Sequence, residues 1–344
     1  MATIKDIAKK LGLGVSTVSM ALNNHPKIGQ NTKEEVLQAA KELGYVKNGL
    51  AADLQKGRSN LILLIVEDAS RPFFSNVISQ VQKAVAKHDF DLLISTTFEN
   101  HSNTAKKYIS EHRGAAAIVF TMNIEDSFIK TYASTDFPIF VLGRKVKGEN
   151  VYCVPSYTNK QPMGYKATQH LIDYGHKHIA FVKGAFNTLG TVRRFEGYLK
   201  ALKDNNMSYD EDVVYVAKDS TYESGYKVTN EIIADIKQKN IDAILYSNDD
   251  LAMGGIRSLI DQGVQVPDDI SIIGYNNLPY AKLLIPALTS VGGTDLGFSS
   301  TYAVDFLVAK ITKQDTLEVE KSYEKQFSLA EEIIYERDTV KKRK

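Results

Sequence analysis

From Val15 to Asn23 the chain reads Val-Ser-Thr-Val-Ser-Met-Ala-Leu-Asn. On a helix this spacing sets Val15, Ser16, Ser19 and Met20 on one face and Val18, Ala21 and Leu22 on the other. The first face carries short hydroxyls and small apolar groups, the types that fit against base edges and thymine methyls in a DNA major groove. The second face is an apolar stripe that has to pack. A partner precedes it, because Ile4, Ile7, Ala8 and Leu11 fall at i, i+3, i+4 and i+7 of another short helix. Between them, Leu11-Gly12-Leu13-Gly14 supplies glycines for a tight turn, where positive φ costs little. A plain surface hairpin has the same pattern, so the rest of the chain must decide.

The elements around this pair build a small helical head. Asn31 and Thr32 suit an N-cap before Lys33-Glu34-Glu35, and Val36, Leu37, Ala40 and Leu43 then make a third amphipathic helix ended by Gly44. Leu22, Val36, Leu37, Leu43 and Tyr45 are the expected core, small enough to be marginal alone. Residues 1–60 carry nine Lys and Arg against five Asp and Glu, a net of +4, within a 344-residue chain of net +1. A basic head on a slightly acidic body points to a polyanion partner for the head. Residues 47–59 read as a linker, yet Leu50 to Lys56 are good helix formers that would order only when DNA or a second copy holds them.

From Asn60 the pattern changes. Leu61-Ile62-Leu63-Leu64-Ile65-Val66 is a continuous apolar run, as in a strand buried on both faces. Strand-length runs follow at 91–95, 115–120, 139–142, 178–182, 213–216, 243–246 and 271–275, with amphipathic helical stretches between them. That alternation predicts doubly wound parallel sheets. The units are too many for one sheet, so a split into two lobes is expected near Ser156–Lys160. In such folds ligands sit beyond the carboxyl ends of the strands and between lobes.

Enzyme chemistry finds little support. There is no Gly-x-Ser-x-Gly elbow, no phosphate-binding Gly-x-x-x-x-Gly-Lys loop and no His-Glu-x-x-His. His176 and His178 stand as His-Lys-His, but their place before a strand suits packing or capping better than a metal site. No metal or cofactor is expected. The single cysteine, Cys153, and the lack of a signal-like or membrane-length apolar run point to a cytoplasmic chain.

Motifs in a fixed order then become specific. Thr-Ile-Lys-Asp-Ile-Ala opens the chain, and Glu-Leu-Gly-Tyr-Val-Lys-Asn-Gly-Leu-Ala closes the head. Pro72-Phe73-Phe74, Arg194-Phe195-Glu196-Gly197-Tyr198, Ser247-Asn248-Asp249-Asp250 and Val266-Pro267-Asp268-Asp269-Ile270 follow through the body. From Thr3 to about Val340 this resembles the lactose/galactose repressor family of bacterial transcription regulators. The resemblance implies an all-α helix-turn-helix head plus an α/β two-lobed effector domain like periplasmic binding proteins. It also implies a homodimer on a pseudo-palindromic operator and a small effector, expected to be a sugar or sugar derivative, bound between the lobes. The expected divisions are 1–46 for the head and 47–59 for a hinge helix and linker. The N-terminal lobe is 60–158 plus about 293–322, and the C-terminal lobe is 159–292 plus about 323–340. The terminal Lys341-Lys342-Arg343-Lys344 is expected to be a solvated tail, and the absence of a leucine-repeat tail implies a dimer.

By resemblance the base-reading positions are Val15, Ser16 and Met20, with Thr3, Thr17, Ser19, Asn23 and Asn48 for phosphates. Leu54 would wedge into the minor groove, with Ala51 leaving room for paired hinge helices. Met20 stands where many relatives carry an arginine that reads guanine, so only apolar contact is available there. In the body the resemblance puts ligand contacts at Phe73, Phe74, Arg194, Ser220, Asn248, Asn276 and Gly293. Arg194 suits bidentate bonding to vicinal hydroxyls or a carboxylate, and a phenylalanine could stack on a sugar or base. Ser220 and Asn276 replace a common aromatic and a common aspartate. The pocket is therefore expected to be roomier and less acidic, suiting an oligosaccharide or an anionic ligand. Two other readings stay open: a catabolite-control regulator that uses a phosphorylated carrier protein, and a ligand-binding protein without DNA function.

Overall fold

A computed structural model describes residues 2–46, 59–98, 101–154, 162–184, 188–293, 295–329 and 332–343. The chain divides after Ser59 into two compact units.

The first unit holds α1 (Ile4–Leu11), α2 (Val15–Leu22) and α3 (Gln30–Glu42). Ile7, Ala8, Val18, Ala21, Val36, Ala39 and Ala40 form its buried centre, with Leu22, Leu43 and Tyr45 packed around it. Both expected stripes therefore face inward. Leu37, expected in this core, is 55% exposed: one residue past Val36, it lies about 100° further round the helix. Of the two glycines between α1 and α2, Gly12 uses positive φ (64°), while Gly14 has φ −70° and serves as the N-cap of α2. The third helix starts earlier than Asn31-Thr32 suggested, with Gly29 as N-cap and Gln30 as first residue.

The second unit contains two sheets. In the first lobe β1 (Leu61–Val66), α4 (Pro72–Lys87), β2 (Asp91–Thr96), α5 (Asn103–Ser110), β3 (Ala116–Phe120), α6 (Asp126–Tyr132), β4 (Ile139–Val141) and β5 (Val151–Cys153) make a parallel sheet of order β2-β1-β3-β4-β5. Ile62, Leu64 and Val66 enter one core cluster, and Leu63 and Ile65 enter the other, so β1 is buried on both faces as its unbroken apolar run requires. Phe74, Val77, Val81 and Val85 of α4 are core residues of this lobe.

The second lobe holds α7 (Tyr165–Asp173), β6 (Ile179–Gly184), α8 (Leu189–Asp204), β7 (Val214–Ala217), α9 (Tyr222–Gln238), β8 (Ala243–Tyr246), α10 (Asp249–Asp261), β9 (Ser271–Tyr275) and β10 (Thr289–Gly293). The chain then returns to the first lobe as α11 (Asp295–Ile311) and α12 (Thr316–Leu329), and crosses back to add β11 (Glu332–Tyr335) antiparallel to β10. The sheet order is β11-β10-β9-β8-β6-β7. Tyr323 and Phe327 of α12 pack in the first lobe's core, so the second crossing follows Leu329 and not position 323 as expected. The short strands β5, β10 and β11 carry no periodic signal long enough to read.

Of the terminal run expected as a solvated tail, Lys341 and Lys342 are exposed, Arg343 is half-buried and anchored, and Lys344 lies outside the described residues. The Thr339 hydroxyl donates to the Ile272 carbonyl (2.7 Å) and accepts from the Thr289 N–H (2.8 Å). Lys341 pairs with Asp268, and Arg343 donates to the carbonyls of Asp268 and Asp269. His176 is fully buried 3.4 Å from Asp242, whereas the His178 ring is exposed. Among the described residues no acidic, His or Cys cluster could hold a metal, and no helix is long and apolar enough to cross a membrane.

Candidate functional site

Two surfaces concern function, one in each unit. In the head, α2 turns Val18 and Ala21 inward and leaves Val15 (44% exposed) and Ser16 outward, with Thr17, Ser19 and Met20 half-buried and Asn23 exposed. The head's core is filled from the opposite side, by Val18 and Ala21. The Thr3 backbone N–H and hydroxyl both donate to Asp6 Oδ2, each at 2.8 Å. This ties down the start of α1 and engages the one hydroxyl proton that a phosphate contact from Thr3 would use. Asn48, Ala51 and Leu54, together with the whole stretch 47–58, lie outside the described residues.

In the body, a cleft of about 350 Å³ opens between the lobes, and Phe73, Phe74, Arg194, Ser220, Asn248, Asn276 and Gly293 all line it. Residues spread over more than two hundred positions meet here because both sheets present their strand ends and the following helix starts to the same gap. The first lobe supplies an aromatic wall. Phe73, Phe74 and Phe120 meet edge to face, with ring centroids 5.2 to 5.7 Å apart. Phe74 is only 5% exposed and belongs mainly to the core.

The second lobe supplies a polar wall centred on Arg194. Its guanidinium stacks 4.1 Å from the Tyr275 ring centroid. It also donates to the Ser247 carbonyl (2.6 Å) and to Asn276 Oδ1 (2.9 Å). Tyr275 is held in turn. Its hydroxyl accepts from the Gly164 N–H at 2.6 Å and donates to Glu332. Burial with the nearby Glu332 carboxylate drives that phenol well above its ordinary value, so it stays a neutral donor. Gly164 sits at φ 90° where a Cβ would lie 2.1 Å from the Arg194 carbonyl, so only glycine lets α7 begin against α8 here. Asn248 caps α10 by accepting from the Leu251 N–H (2.7 Å), and its amide reaches the Ser220 carbonyl (3.2 Å).

The lobes are joined across the cleft by a residue that sequence reasoning did not select. Arg71, the N-cap residue of α4, donates to the Ser220 carbonyl (2.9 Å) and lies 3.4 Å from Asp250 Oδ2 and 3.7 Å from Glu67. A backbone bond parallels it, from the Leu189 N–H to the Gly143 carbonyl at 3.0 Å. Position 220 thus contributes its backbone carbonyl, which no side-chain pattern announces. Beneath the cleft, Asp249 is wholly buried and accepts from Ser290 (2.6 Å) and from the Leu278 N–H (2.7 Å). These bonds hold the loop after β9 that carries Asn276. Burial pushes the Asp249 carboxyl up to about 7.

Comparison with known proteins gives consistent matches. Residues 3–48 fit the family described as "Bacterial regulatory proteins, lacI family", and residues 59–325 fit "Periplasmic binding proteins and sugar binding domain of LacI family". The chain is 30% identical over 295 residues to the HTH-type transcriptional repressor PurR of Histophilus somni, covering 85% of this chain and 87% of that one. It is 30% identical over 318 residues to the HTH-type transcriptional regulator MalR of Clostridium butyricum, covering 90% and 92%. Among solved structures, the lac repressor dimer bound to operator and the anti-inducer ONPF superposes with a TM-score of 0.76 at 21% identity, over 99% of each chain. A transcriptional regulator CelR–cellobiose complex superposes at 0.67 with 23% identity, over 98% of this chain and 100% of that one.

Proposed function

The chain belongs to the lacI family of bacterial regulatory proteins, and we infer from that membership that it is a sequence-specific DNA-binding transcriptional regulator, acting as a repressor. It is no enzyme. A small ligand in the interlobe cleft sets its affinity for operator DNA, and it works as a homodimer on a pseudo-palindromic site in the cytoplasm. The observation that carries this reading is the cleft itself. Its walls come from both lobes and are bridged by Arg71 to Ser220 and by Leu189 to Gly143. A molecule seated there touches both lobes at once, so its binding energy depends on their spacing, which is what linkage between effector and DNA needs.

Val15, Ser16 and Met20 read base edges, while Thr17, Ser19, Asn23 and Asn48 meet phosphates. Leu54 wedges the minor groove, with Ala51 beside it. Phe73, Arg194, Asn248 and Asn276 contact the effector directly, with Phe74 and the Ser220 carbonyl supporting the walls. A sugar-like ligand agrees with the bound cellobiose and ribose named for two structures of like fold. The test starts with selection of bound sequences from a random DNA pool by the full chain. Affinity for the selected site is then measured with and without candidate ligands, and with Leu54→Ala. Enrichment of a two-fold symmetric site, a ligand-dependent shift, and weaker DNA binding by Leu54→Ala with intact ligand binding are expected. Failure to enrich any sequence overturns the reading.

A further inference from the structure

We propose that Arg337, on the segment that follows β11, is a positioning residue for the cleft: its guanidinium holds the turn 276–278 that presents Asn276 to the gap between the lobes. This rests on the reading of the cleft as the effector site, and it makes the docking of a distant segment part of that site's geometry.

The turn is an unusual piece of backbone. Asn276 has φ 104° and Asn277 has φ 48°. Residues with a Cβ rarely adopt positive φ, and although asparagine tolerates it best, two in succession persist only where the surroundings over-determine them. Three backbone donors of the turn engage fixed acceptors. The Asn276 N–H donates to the Val291 carbonyl (2.7 Å), the Asn277 N–H to Ser290 Oγ (3.0 Å) and the Leu278 N–H to Asp249 Oδ2 (2.7 Å). Ser290 and Val291 lie on β10, and Asp249 begins α10. The two asparagine side chains then part. Asn276 lines the cleft, where its Oδ1 accepts from Arg194 at 2.9 Å. Asn277 Oδ1 accepts from Arg337 Nη2 at 2.6 Å.

Arg337 is itself fixed. Its Nη1 donates to the Leu288 carbonyl (2.6 Å), its backbone N–H donates to Thr289 Oγ1 (2.9 Å), and its guanidinium lies 5.7 Å from the Tyr335 ring centroid. The planar fork thus joins the turn after β9 to the residue just before β10, through two neutral oxygens. Close packing supports the same arrangement. A Cβ on Gly292 would stand 3.0 Å from the Asn277 Cβ and 3.0 Å from the Tyr335 ring, so the glycine lets turn, strand and ring close up beside Arg337. A hydrogen bond from a charged donor to a neutral acceptor changes an opening equilibrium by about tenfold or more.

The test uses the full chain and amide hydrogen exchange, which needs neither effector nor DNA. The reporter is the Leu278 N–H in the turn. The reference is the Ser247 N–H, bonded to the Val182 carbonyl at 2.7 Å elsewhere in the second lobe. In Arg337→Ala, Leu278 is expected to exchange about tenfold or more faster, with Ser247 within about twofold of the parent. Arg337→Lys should recover part of the effect, because an ammonium is still a charged donor but lacks the fork. Asn277→Gly keeps the backbone free to adopt positive φ and removes the acceptor, so adding Arg337→Ala to it should speed Leu278 by less than about threefold. Arg343→Ala removes an anchor of the same segment at the Asp268 and Asp269 carbonyls without touching the turn, and should leave Leu278 within about twofold. An unchanged Leu278 rate in Arg337→Ala, an equal rise at Ser247, or an equal rise in Arg343→Ala overturns the proposal.

Cellobiose and ribose then serve as effector probes, chosen by isothermal titration against the parent. At about a hundred times its Kd, a sugar that uses the turn should slow Leu278 exchange in Arg337→Ala by about tenfold or more. A sugar that binds and leaves Leu278 unprotected overturns the link between the turn and the effector. Binding of neither sugar counts against the sugar reading of the cleft, while the exchange rates still decide the role of Arg337.

Discussion

Arg71→Ala should open the lobes, and its size can be worked out from the cleft. Arg71 is 17% exposed and donates a charged hydrogen bond to the Ser220 carbonyl at 2.9 Å. Its contact with Asp250, itself 10% exposed, is longer at 3.4 Å. A hydrogen bond from a charged donor is worth about 1.5–3 kcal/mol, so the closed form should lose about 2 kcal/mol. Removing the cation also leaves the buried Asp250 without this partner. Burial already pushes that carboxyl up and Arg71 holds it down, so Asp250 answers by taking a proton more readily. The loss of about 2 kcal/mol corresponds to a roughly thirtyfold change in the opening equilibrium. A local reporter is available, since the Leu189 N–H bonds across the cleft to the Gly143 carbonyl and exchanges only when that bond breaks. Hydrogen exchange of the full chain should therefore show Leu189 exchanging about thirtyfold faster in Arg71→Ala. Adding Asp250→Asn should recover part of the effect, because no orphan carboxylate remains. Exchange at Leu189 within about twofold of the parent would refute the bridge as an energetic link between the lobes.

Three further outcomes can be checked independently. Met20→Arg should shift the selected operator toward guanine at one base pair per half-site, worth about 1–3 kcal/mol, and an unchanged selected sequence would count against Met20 facing a base. Gly254→Ala should destabilise the second lobe by about 1–3 kcal/mol or more, seen as a lower urea midpoint. Its new Cβ would stand 2.0 Å from the Tyr222 carbonyl and 2.7 Å from the Tyr226 nitrogen, backbone atoms that cannot yield without separating α9 from α10; an unchanged midpoint would disprove that closeness. Asp249→Asn tests the buried carboxyl, whose value rises from 3.8 to about 7 in the folded chain. Between those values the unfolded chain has released this proton and the folded chain has kept it, so stability falls as pH rises through that window. Asparagine cannot ionise and still accepts from the Leu278 N–H. Its thermal midpoint relative to the parent should therefore be higher at pH 8 than at pH 5, and an equal difference at both would sink the argument.

Much of this molecule is legible in its amino-acid sequence. The stripe of Ile4, Ile7, Ala8 and Leu11, the stripe of Val18 and Ala21, and the unbroken run of 61–66 are local patterns with periods that helix and strand geometry set directly. They suffice for the three-helix head, the parallel lobes and the outward face of α2. The residues chosen for the cleft by family resemblance all line it. What stays hidden involves partners far apart in the chain. Arg71 and Ser220 are 149 positions apart, Tyr275 and Glu332 are 57 apart, and the tail threonine Thr339 bonds to Ile272 across 67. Helical and strand periodicity reaches only a few residues along the chain. Which distant segments meet depends on the strand order of two sheets and on where the chain crosses between them. The sequence by itself determined what each segment is and which side of it must be buried. Only the tertiary structure decided that Arg71 bridges the lobes through a backbone carbonyl, that Thr339 and Arg343 anchor the end of the chain on the second lobe, and that α12 stays with the first. The first two turn on backbone carbonyls, which every residue carries and no sequence pattern marks, and the third on where the rings of Tyr323 and Phe327 find a core.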